Sequence, residues 1–291
     1  MLFYSLLFSL FFSSLPQVLP TSDDPAVLYL SQDQGTSWEN FDAGLPEDLQ
    51  LRNLVEHNGH LYLSSFEYGL FSLNPATDTW EHKSLGLPLD EGDFLPISLA
   101  VQGDVIVMGS YPNGLYISKN GGDFWRPSLF GLPRMPRSLI FTDGYLLAGT
   151  DMGLWKSYDY GDSWRRVSED VTSINALAVF NDQLFIASQN GLGVWQDGQI
   201  VWSDAESSTA ILQLIVEGDY VYALNFRNEI FRSKDGVNWS TPDAEQAQKE
   251  YDNLPEALWN GYRPEPPGNF KSGSIQATSR GWIMGAEMLG C

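Results

Sequence analysis

Short apolar runs alternate with polar turns along most of the chain. In residues 51–83, the run His60–Ser65 has leucines at alternating positions, and the pair Asn58-Gly59 separates it from the run before it. Asn-Gly between apolar runs favours a tight hairpin turn, and a period of two favours a half-buried strand. A polar loop, a third run, a turn and a fourth run follow. This order predicts a four-stranded antiparallel meander, and these stretches show no helical spacing.

The same order recurs, so the fold is expected to be a repeat. The equivalent first turns are Gly103-Asp104, Asp143-Gly144, Asn181-Asp182 and Gly218-Asp219. A serine, an aspartate or asparagine, a glycine and a closing tryptophan mark the later turn of each meander. The four clear copies contain Ser31, Asp33, Gly35 and Trp38; Ser118, Asn120, Gly122 and Trp125; Ser157, Asp159, Gly161 and Trp164; and Ser233, Asp235, Gly236 and Trp239. Residues 72–80 and 195–202 are degenerate copies. The tryptophans recur about every 40 residues, a period typical of propellers and solenoids.

The serine–aspartate–glycine stretch is predicted to be a structural hairpin between the third and fourth strands. A Ser or Asp side chain in such a turn accepts hydrogen bonds from nearby backbone N–H groups, and glycine adopts positive φ. The tryptophan opens the fourth strand and covers the hairpin with a large apolar ring. None of these aspartates is expected to be catalytic. A Gly-Leu-Pro triplet begins six residues after three of the tryptophans, at Gly44, Gly86 and Gly131.

The two ends of the chain are incomplete in complementary ways. Residues 26–42 supply a third and a fourth strand, and residues 51–240 supply five complete meanders. Residues 272–287 read as a first strand, a turn at Ser279-Arg280-Gly281 and a second strand. Pairing the two ends would complete a sixth sheet and leave no open edge. The sequence therefore predicts an all-β fold: a six-bladed β-propeller of four-stranded antiparallel blades, closed by two N-terminal and two C-terminal strands.

One domain is predicted for residues 23–291, with an insert at 241–271 that lacks strand alternation. Residues 1–22 are expected to be a signal peptide or disordered leader. Residues 1–15 are apolar apart from serines, too short to span a bilayer comfortably and typical of a secretory signal. No Lys or Arg precedes the run and no clear cleavage site follows it, so an uncleaved membrane anchor and a mis-assigned start codon stay open. A secreted, periplasmic or cell-surface location is expected, with no other integral membrane domain.

The charge balance excludes one class of partner. The 291 residues include 16 Lys and Arg against 37 Asp and Glu, a formal net charge of -21, and a field of that sign repels phosphate backbones. Nucleic acid is therefore not an expected partner. Calcium and a basic protein are alternatives to a merely soluble acidic surface. Cys291 is the single cysteine, so no internal disulfide forms. His57 and His60 flank one turn, but two ligands do not make a metal site; no metal and no cofactor are expected.

The four clear hairpin copies resemble the Asp-box, or bacterial neuraminidase repeat, family of β-propellers. The resemblance covers nearly the whole mature chain and implies a fold rather than one activity, since the family includes sialidases, xyloglucan-cleaving glycosidases, sorting receptors and photosystem-assembly factors. Sialidases have an Arg-Ile-Pro motif early in the chain, an arginine triad and a Tyr/Glu nucleophile pair. Here the first arginine, Arg52, is followed by Asn53 and Leu54, so the sialidase catalytic set is not expected. In organisation the chain is most similar to the single-propeller assembly-factor-like group.

The topology places the expected function at one end of the strands. In a meander, the second-to-third loops and the sheet-to-sheet linkers emerge at one end, and the serine–aspartate hairpins emerge at the other. Ligands usually bind where loops converge on a rigid scaffold. The candidate ligand-binding residues are Phe66, Glu67, Tyr68, Tyr111, Asn113, Asp151, Gln189, Asn190, Phe226, Arg227 and Glu287. The insert at 241–271 lies at this end as well, and it either joins the site or only caps the channel.

The expected function is non-catalytic: an exported propeller that binds a protein or a glycan through this end. The alternative is a glycoside hydrolase or lyase with a pair of carboxylates at the same end. For hydrolysis, two carboxyl groups would lie roughly 5–10 Å apart. Glu67, Asp151 and Glu287 are the candidates for such a pair. No residue is assigned a catalytic role.

Overall fold

The computed structural model describes residues 26–33, 37–91, 94–128, 135–142, 144–168, 171, 173–203, 210–217, 219–225, 230–240 and 270–288. These residues form six antiparallel sheets joined by turns, with one 3-10 turn at Leu89–Glu91. The predicted all-β class is confirmed. The chain divides into two compact units, a first of residues Met1–Lys83 and Asp243–Cys291 and a second of residues Ser84–Pro242.

The first unit contains two four-stranded sheets. One is a meander whose strands are β3 (Gln50–His57), β4 (His60–Phe66), β5 (Gly69–Asn74) and β6 (Thr79–His82). The other joins both ends of the chain, and its strands are β1 (Leu28–Ser31), β2 (Glu39–Asn40), β22 (Phe270–Thr278) and β23 (Gly281–Met288).

The chain-end sheet has the strand order β2-β1-β23-β22. β1 pairs antiparallel with β23, so that Leu28 lies opposite Gly285 and Ser31 lies opposite Trp282. Leu28 and Tyr29 have 0% exposure, which places this ladder in the core of the first unit. Two N-terminal and two C-terminal strands therefore share one sheet.

The second unit contains four sheets. Three of them have four strands each. The first contains β7 (Leu95–Gln102), β8 (Val105–Tyr111), β9 (Gly114–Ser118) and β10 (Arg126–Pro127), and the second contains β11 (Pro136–Thr142), β12 (Tyr145–Thr150), β13 (Gly153–Ser157) and β14 (Arg165–Ser168). The third contains β15 (Ile174–Phe180), β16 (Gln183–Ser188), β17 (Gly191–Gln196) and β18 (Gln199–Trp202). The fourth has three, β19 (Ile211–Glu217), β20 (Tyr220–Asn225) and β21 (Ile230–Ser233).

The last sheet of the second unit departs from the prediction of a complete meander. In place of a fourth strand, the described residues contain an isolated bridge in which Arg232 and Ser240 exchange backbone hydrogen bonds of 2.9 and 3.0 Å. Residues 241–269, which follow Ser240, lie outside the described part of the chain. The sheet therefore has three strands and one bridge within the described part of the chain.

A register shift occurs near the start of the first strand of every described sheet. The shifts lie at Leu51/Asn53, Pro96/Ser98, Pro136/Ser138, Ile174/Ala176, Ile211/Gln213 and Ser272/Ile275. Such a β-bulge bends its strand and changes the direction of a side chain. The bulges lie beside the end of the second strand, close to the second-to-third turn. The sequence analysis did not predict them.

The hairpin between β13 and β14 is held by a serine and an aspartate acting together. Ser157 Oγ accepts a hydrogen bond from the Gly161 N–H at 2.7 Å and donates one to Asp159 Oδ1 at 2.7 Å. Asp159 also accepts from the Ser163 N–H at 2.9 Å and from the Ser163 hydroxyl at 2.5 Å. The Gly161 carbonyl accepts from Trp164 Nε1 at 3.0 Å. Each of these groups is used within the turn.

The copy with asparagine differs at a second position, and the hydrogen bonds explain why. Asn120 Oδ1 accepts from the Ser118 hydroxyl at 2.8 Å and from the Phe124 N–H at 3.0 Å. The side chain of Phe124 has no hydroxyl, so it could not donate a hydrogen bond to a second carboxylate oxygen at position 120. At Asp33 the corresponding residue is Ser37, whose hydroxyl donates to Oδ2 at 2.6 Å. A carboxylate therefore occurs where a second side chain donates, as the Asn238 amide does to Asp235 Oδ2 at 2.7 Å, and an amide occurs at Asn120, beside Phe124.

The same hairpin also connects neighbouring sheets in the second unit. Ser128 Oγ donates to the Gly161 carbonyl at 2.6 Å. Asp162 forms ion pairs with Arg126 and, at 2.7 Å, with Lys119. Burial alone would raise the pKa of Asp162, but hydrogen bonds from Lys119 and Arg126 lower it overall. The hairpin of β13 and β14 is thus joined to the sheet that precedes it.

The Gly-Leu-Pro triplets hold a linker against the next tryptophan. In the first unit the Trp80 N–H donates to the Ala43 carbonyl at 2.7 Å, and in the second unit the Trp125 N–H donates to the Leu85 carbonyl at 2.8 Å. Gly86 has φ 95°, and a Cβ atom there would lie 2.3 Å from the carbonyl oxygen of Trp125. The glycine is therefore required by both backbone conformation and space. The third triplet lies outside the described residues.

One of the degenerate hairpin copies is an ordinary tight turn. Asp197 and Gly198 join β17 to β18 at φ 48° and 87°, a two-residue hairpin whose twist matches that of the strands. Trp202 is the last residue of β18, whereas Trp125 and Trp164 come immediately before their fourth strands. The expected equivalence of Trp202 with the closing tryptophans is therefore wrong.

Acid should destabilise the hairpins that use aspartate. Burial alone would raise the pKa of Asp159 from its ordinary 3.8, but hydrogen bonds from Ser163 and Ser157 lower it overall. A carboxyl with a lowered folded-state pKa contributes stability above its unfolded pKa, and that stability is lost as pH falls through the folded value. Asp159→Asn should therefore flatten the loss of stability below about pH 4, at a cost under ~1 kcal/mol at neutral pH. Urea unfolding of both proteins at several pH values checks this, and parallel pH profiles would contradict it.

Candidate functional site

Three second-to-third turns of the second unit are closed by a hydroxyl at the end of the second strand. Ser110 donates to the Gly114 carbonyl at 3.2 Å, Thr150 to the Gly153 carbonyl at 2.9 Å, and Ser188 to the Gly191 carbonyl at 3.3 Å. All three hydroxyl residues have 0% exposure. Sequence reasoning missed this role, although a Ser or Thr followed three or four residues later by Gly is visible in each turn. The turns are therefore fixed to the buried sheet rather than free.

Two of these turns are joined through a single residue. The Ser173 N–H donates to the Asp151 carbonyl at 3.0 Å, and the Ser173 carbonyl accepts from the Gln189 N–H at 3.3 Å. Met152 is 50% exposed, and Gln189 and Asn190 are exposed. We refer to Asp151, Met152, Ser173, Gln189 and Asn190 as the turn rim. The structure thus brings together three residues that the sequence analysis selected, Asp151, Gln189 and Asn190.

An arginine and an asparagine meet on neighbouring first strands near the turn rim. Arg137 occupies the bulge of β11, beside the end of β12. Its Nη1 donates to Asn175 Oδ1 at 3.4 Å, and Asn175 Nδ2 donates to the Ile211 carbonyl at 2.8 Å. Arg137 Nε is buried and has no hydrogen-bond partner among the described residues. Arg137 as a whole is half-buried, so part of its side chain reaches the surface.

Neither Arg137 nor Asn175 was among the residues selected from the sequence. The selection took loop positions, whereas both residues lie within strands, at bulges that the apolar pattern does not mark. The only sequence signal is a polar residue near the start of a first strand, which also occurs at Arg52 in the first unit. Arg52 occupies the bulge of β3, so it has the same place in its own sheet.

The first unit contributes Phe66, Glu67 and Tyr68 at the turn between β4 and β5. Glu67 is exposed and has φ 67°. The Tyr68 hydroxyl donates to Asp48 Oδ1 at 2.7 Å. The guanidinium carbon of Arg52 lies 5.8 Å from the centroid of the Phe66 ring, a cation–π distance. This turn therefore combines an aromatic ring, a cation and two carboxylates.

The Tyr68 hydroxyl is bound to a carboxylate. Its hydrogen bond to Asp48 raises its pKa above the ordinary value of 10.0, and the charge of Glu67 acts in the same direction. The carboxylate that accepts from this tyrosine is therefore an aspartate, not the glutamate of a sialidase-like Tyr/Glu pair.

The three candidate carboxylates lie on separate elements. Glu67 belongs to the first unit and Asp151 to the second. Glu287, which was expected near the loops, lies within β23 with its backbone paired to Lys271, and its side chain is outside the described part. Asp151 Oδ1 is buried and has no hydrogen-bond partner among the described residues. The carboxylate pair of the hydrolase alternative stays a prediction.

The remaining candidates are placed as follows. Tyr111 is the last residue of β8 and is 47% exposed, and Asn113 is half-buried in the turn after it. Phe226 and Arg227 lie outside the described residues. The same holds for most of the insert predicted at 241–271, but its last two residues belong to β22, so the insert is shorter than expected at that end.

Neither a metal-binding cluster nor a membrane-spanning helix is found among the described residues. No group of three or more His, Cys, Asp or Glu side chains in the described part of the chain could hold a metal ion. The exposed side chains of His57 and Asn58 contact each other at 3.1 Å in their turn. Among the described residues, no helix has the length and apolar character that a membrane crossing needs.

No protein-family model matches the chain, and no curated protein is significantly similar to it. Solved structures are similar. YCF48 bound to a D1 peptide has a TM-score of 0.54 at 19% identity, over 76% of this chain and 73% of that one. The GH74 enzyme of Niastella koreensis has a TM-score of 0.54 at 14% identity, over 73% of this chain and 38% of that one. The extracellular domain of BT4673 from B. thetaiotaomicron has a TM-score of 0.60 at 19% identity, over 94% of this chain and 39% of that one.

These three proteins are β-propellers. The chain has a β-propeller fold. At sequence identities of 14% to 19%, the similarity to these proteins establishes the fold only. The chain spans less than half the length of the Niastella enzyme and of the BT4673 domain, at 38% and 39%.

Proposed function

We propose that this protein is an extracytoplasmic, non-catalytic β-propeller that binds a protein partner through the second-to-third turn end of its sheets. The observation that carries the proposal is the turn rim, in which Ser173 joins Asp151 to Gln189 across neighbouring sheets. Turns that are fixed to a buried scaffold and expose both apolar and amide groups suit the surface of another protein. The exposed Met152 and Gln189 provide those two kinds of contact.

Arg137 is the residue we expect to contribute most to this binding. Its side chain is half-buried, and Nη1 donates to Asn175 Oδ1 at 3.4 Å. The guanidinium group has further N–H donors that suit a carbonyl or carboxylate oxygen of a partner. Arginine is also among the residues that most often dominate protein interfaces.

Two of the similar structures support the proposal without fixing its details. One is of YCF48 bound to a D1 peptide, and another is of an extracellular domain. The apolar residues 1–15 support export. Four points remain predictions from the sequence. They are glycan binding, membership of the Asp-box family, a closed six-bladed ring over residues 23–291, and the presence of a leader and an insert.

A pair of photo-crosslinks tests the proposal. Gln189 and Gln199 are both exposed glutamines of the β15–β18 sheet, the first at the turn rim and the second beside the opposite turn. Each is replaced by p-benzoylphenylalanine in cells that make the protein naturally, and the full chain is irradiated and recovered. We expect one discrete protein adduct from position 189 and none from position 199. Adducts from position 199 alone would place the binding surface at the hairpin end.

A further inference from the structure

Two cations face each other at the hairpin end of the β11–β14 sheet. Lys156 in β13 and Arg165 in β14 are cross-strand partners. Side chains directly opposite each other project from the same face of a sheet, with Cβ atoms about 5 Å apart, and like charges in this arrangement are destabilising. Neither residue forms an ion pair with any described residue. The described residues thus give this pair no carboxylate, in a chain of net charge -21.

Two tyrosine rings hold one of the cations but do not neutralise it. Lys156 Nζ lies 3.4 Å from the ring centroid of Tyr145 and 4.8 Å from that of Tyr158. The rings themselves are 6.0 Å apart in an edge-to-face arrangement. A hydrogen bond from Lys156 lowers the pKa of the Tyr158 hydroxyl, and the charge of Arg165 acts in the same direction. Tyr158 is 62% exposed, which leaves that hydroxyl accessible to a ligand.

The cation–π contact alone is a property of the repeat, and the cross-strand pair of cations is not. In the β19–β21 sheet, the guanidinium carbon of Arg232 lies 4.9 Å from the Tyr220 ring centroid, at the position equivalent to Lys156 and Tyr145, and Lys234 Nζ lies 4.8 Å from the same ring. The residue opposite Arg232 is Ser240 rather than a cation. Arg165 is therefore an addition that the architecture does not require.

A nearby lysine shows how the same end of the unit deals with a positive charge elsewhere. Lys119, in the neighbouring hairpin, forms an ion pair with Asp162 at 2.7 Å. That pair provides the carboxylate that Lys156 and Arg165 lack among the described residues. Both sites contain a lysine. They differ because Lys119 has a carboxylate partner among the described residues, whereas Lys156 and Arg165 have none there.

We propose that Lys156, Arg165 and the Tyr158 hydroxyl bind a carboxylate in an acidic segment of a partner protein. A carboxylate has two oxygens and can accept hydrogen bonds from both cations at once, and such charge-assisted bonds are the strongest in proteins. The exposed Tyr158 ring adds an apolar contact for the neighbouring part of the peptide. A long polyanion is a weaker fit, because the net charge of -21 would repel its other charges.

This site is separate from the turn rim. Lys156 lies near the end of β13 that leads into the hairpin, whereas Asp151 lies just before the other end of the same strand. The strand rises about 3.3 Å per residue, so the two places are on opposite ends of one sheet. A failure of the photo-crosslink at position 189 would leave the carboxylate site untouched, and the reverse also holds.

Fluorescence anisotropy with labelled hexaglutamate tests the proposal on the full chain at about 150 mM ionic strength, where a Debye length of about 8 Å screens repulsion from the rest of the chain but not a direct contact. Arg165→Gln and Lys156→Gln should each weaken binding about tenfold or more, as expected for loss of one charged hydrogen bond. Lys119→Gln is the matched control, since its ammonium already has a carboxylate partner, and it should change affinity less than about twofold. Hexaglutamine should not bind.

Several outcomes would overturn the proposal. Wild-type affinity in Arg165→Gln would show that the cross-strand pair is not the site, and equal binding of hexaglutamine would show that charge is not recognised. Binding of a heparin oligosaccharide without binding of hexaglutamate would assign the site to sulfated glycans instead. Arg165→Gln should unfold at the same temperature as wild type or higher, because it removes a like-charge contact. If that variant does not fold, Lys156→Gln carries the test by the same criteria.

Discussion

Replacing Gly86 by alanine should cost about 3–5 kcal/mol of unfolding free energy, enough to unfold a marginally stable protein. Two penalties add at this position. The residue has φ 95°, where alanine is strained by roughly 1–2 kcal/mol. The new Cβ would also lie 2.3 Å from the backbone oxygen of Trp125, and a backbone atom cannot move aside as a flexible side chain can. The hydrogen bond between the Trp125 N–H and the Leu85 carbonyl would be strained as a result.

Gly114→Ala separates the two penalties. Gly114 has φ 86°, close to that of Gly86, but no atom lies within 4 Å of its added Cβ. Alanine there should cost only the conformational penalty of roughly 1–2 kcal/mol. Urea unfolding of both variants measures the difference. Equal losses would show that the linker does not pack on Trp125 as described.

Ending the chain after residue 269 should abolish cooperative folding of the first unit. The truncation removes β22 and β23, so β1 loses the partner that pairs with it from Leu28 to Ser31. Leu28 and Tyr29, which have 0% exposure, would then lie at an open edge. Each such side chain contributes about 1.5–3 kcal/mol by its burial. An edge of this kind also promotes aggregation.

The matched control ends the chain after Met288, the last residue of β23, and keeps every strand. Thermal unfolding and size-exclusion chromatography compare the two truncations with the full chain. We expect the longer one to match the full chain and the shorter one to aggregate or melt without a cooperative transition. A shorter chain that melts like the full one would mean that the chain-end sheet is dispensable.

The strands and hairpins could be predicted from the sequence because they depend on local signals. The turn pair Asn58-Gly59 and the alternating leucines of β4 determine one hairpin without help from the rest of the chain. The chain-end sheet was also predictable, since residues 26–42 supply only a third and a fourth strand and residues 272–287 supply only a first and a second. The fourth strand of the last meander is represented in the described residues only by the bridge between Arg232 and Ser240.

The candidate site was harder to predict because it depends on contacts between sheets. The sequence analysis selected Asp151 and Gln189 from loop position, but only the fold shows that Ser173 joins them. Arg137 and Asn175 lie at bulges, and a bulge is set by the pairing register of two strands rather than by the identity of one residue. Arg165 looks like an ordinary strand residue until its cross-strand partner, Lys156, is known.

The central claim is that the second-to-third turn end binds a protein partner. The most direct test is hydrogen–deuterium exchange of the full chain, measured with and without the partner identified by the photo-crosslink. The amides of Asp151, Gln189 and Asn190 should exchange more slowly in the complex. Those of Asp197 and Gly198, at the other end of a neighbouring strand pair, should exchange at the same rate in both states. Protection of Asp197 and Gly198 with no change at Gln189 would contradict the account.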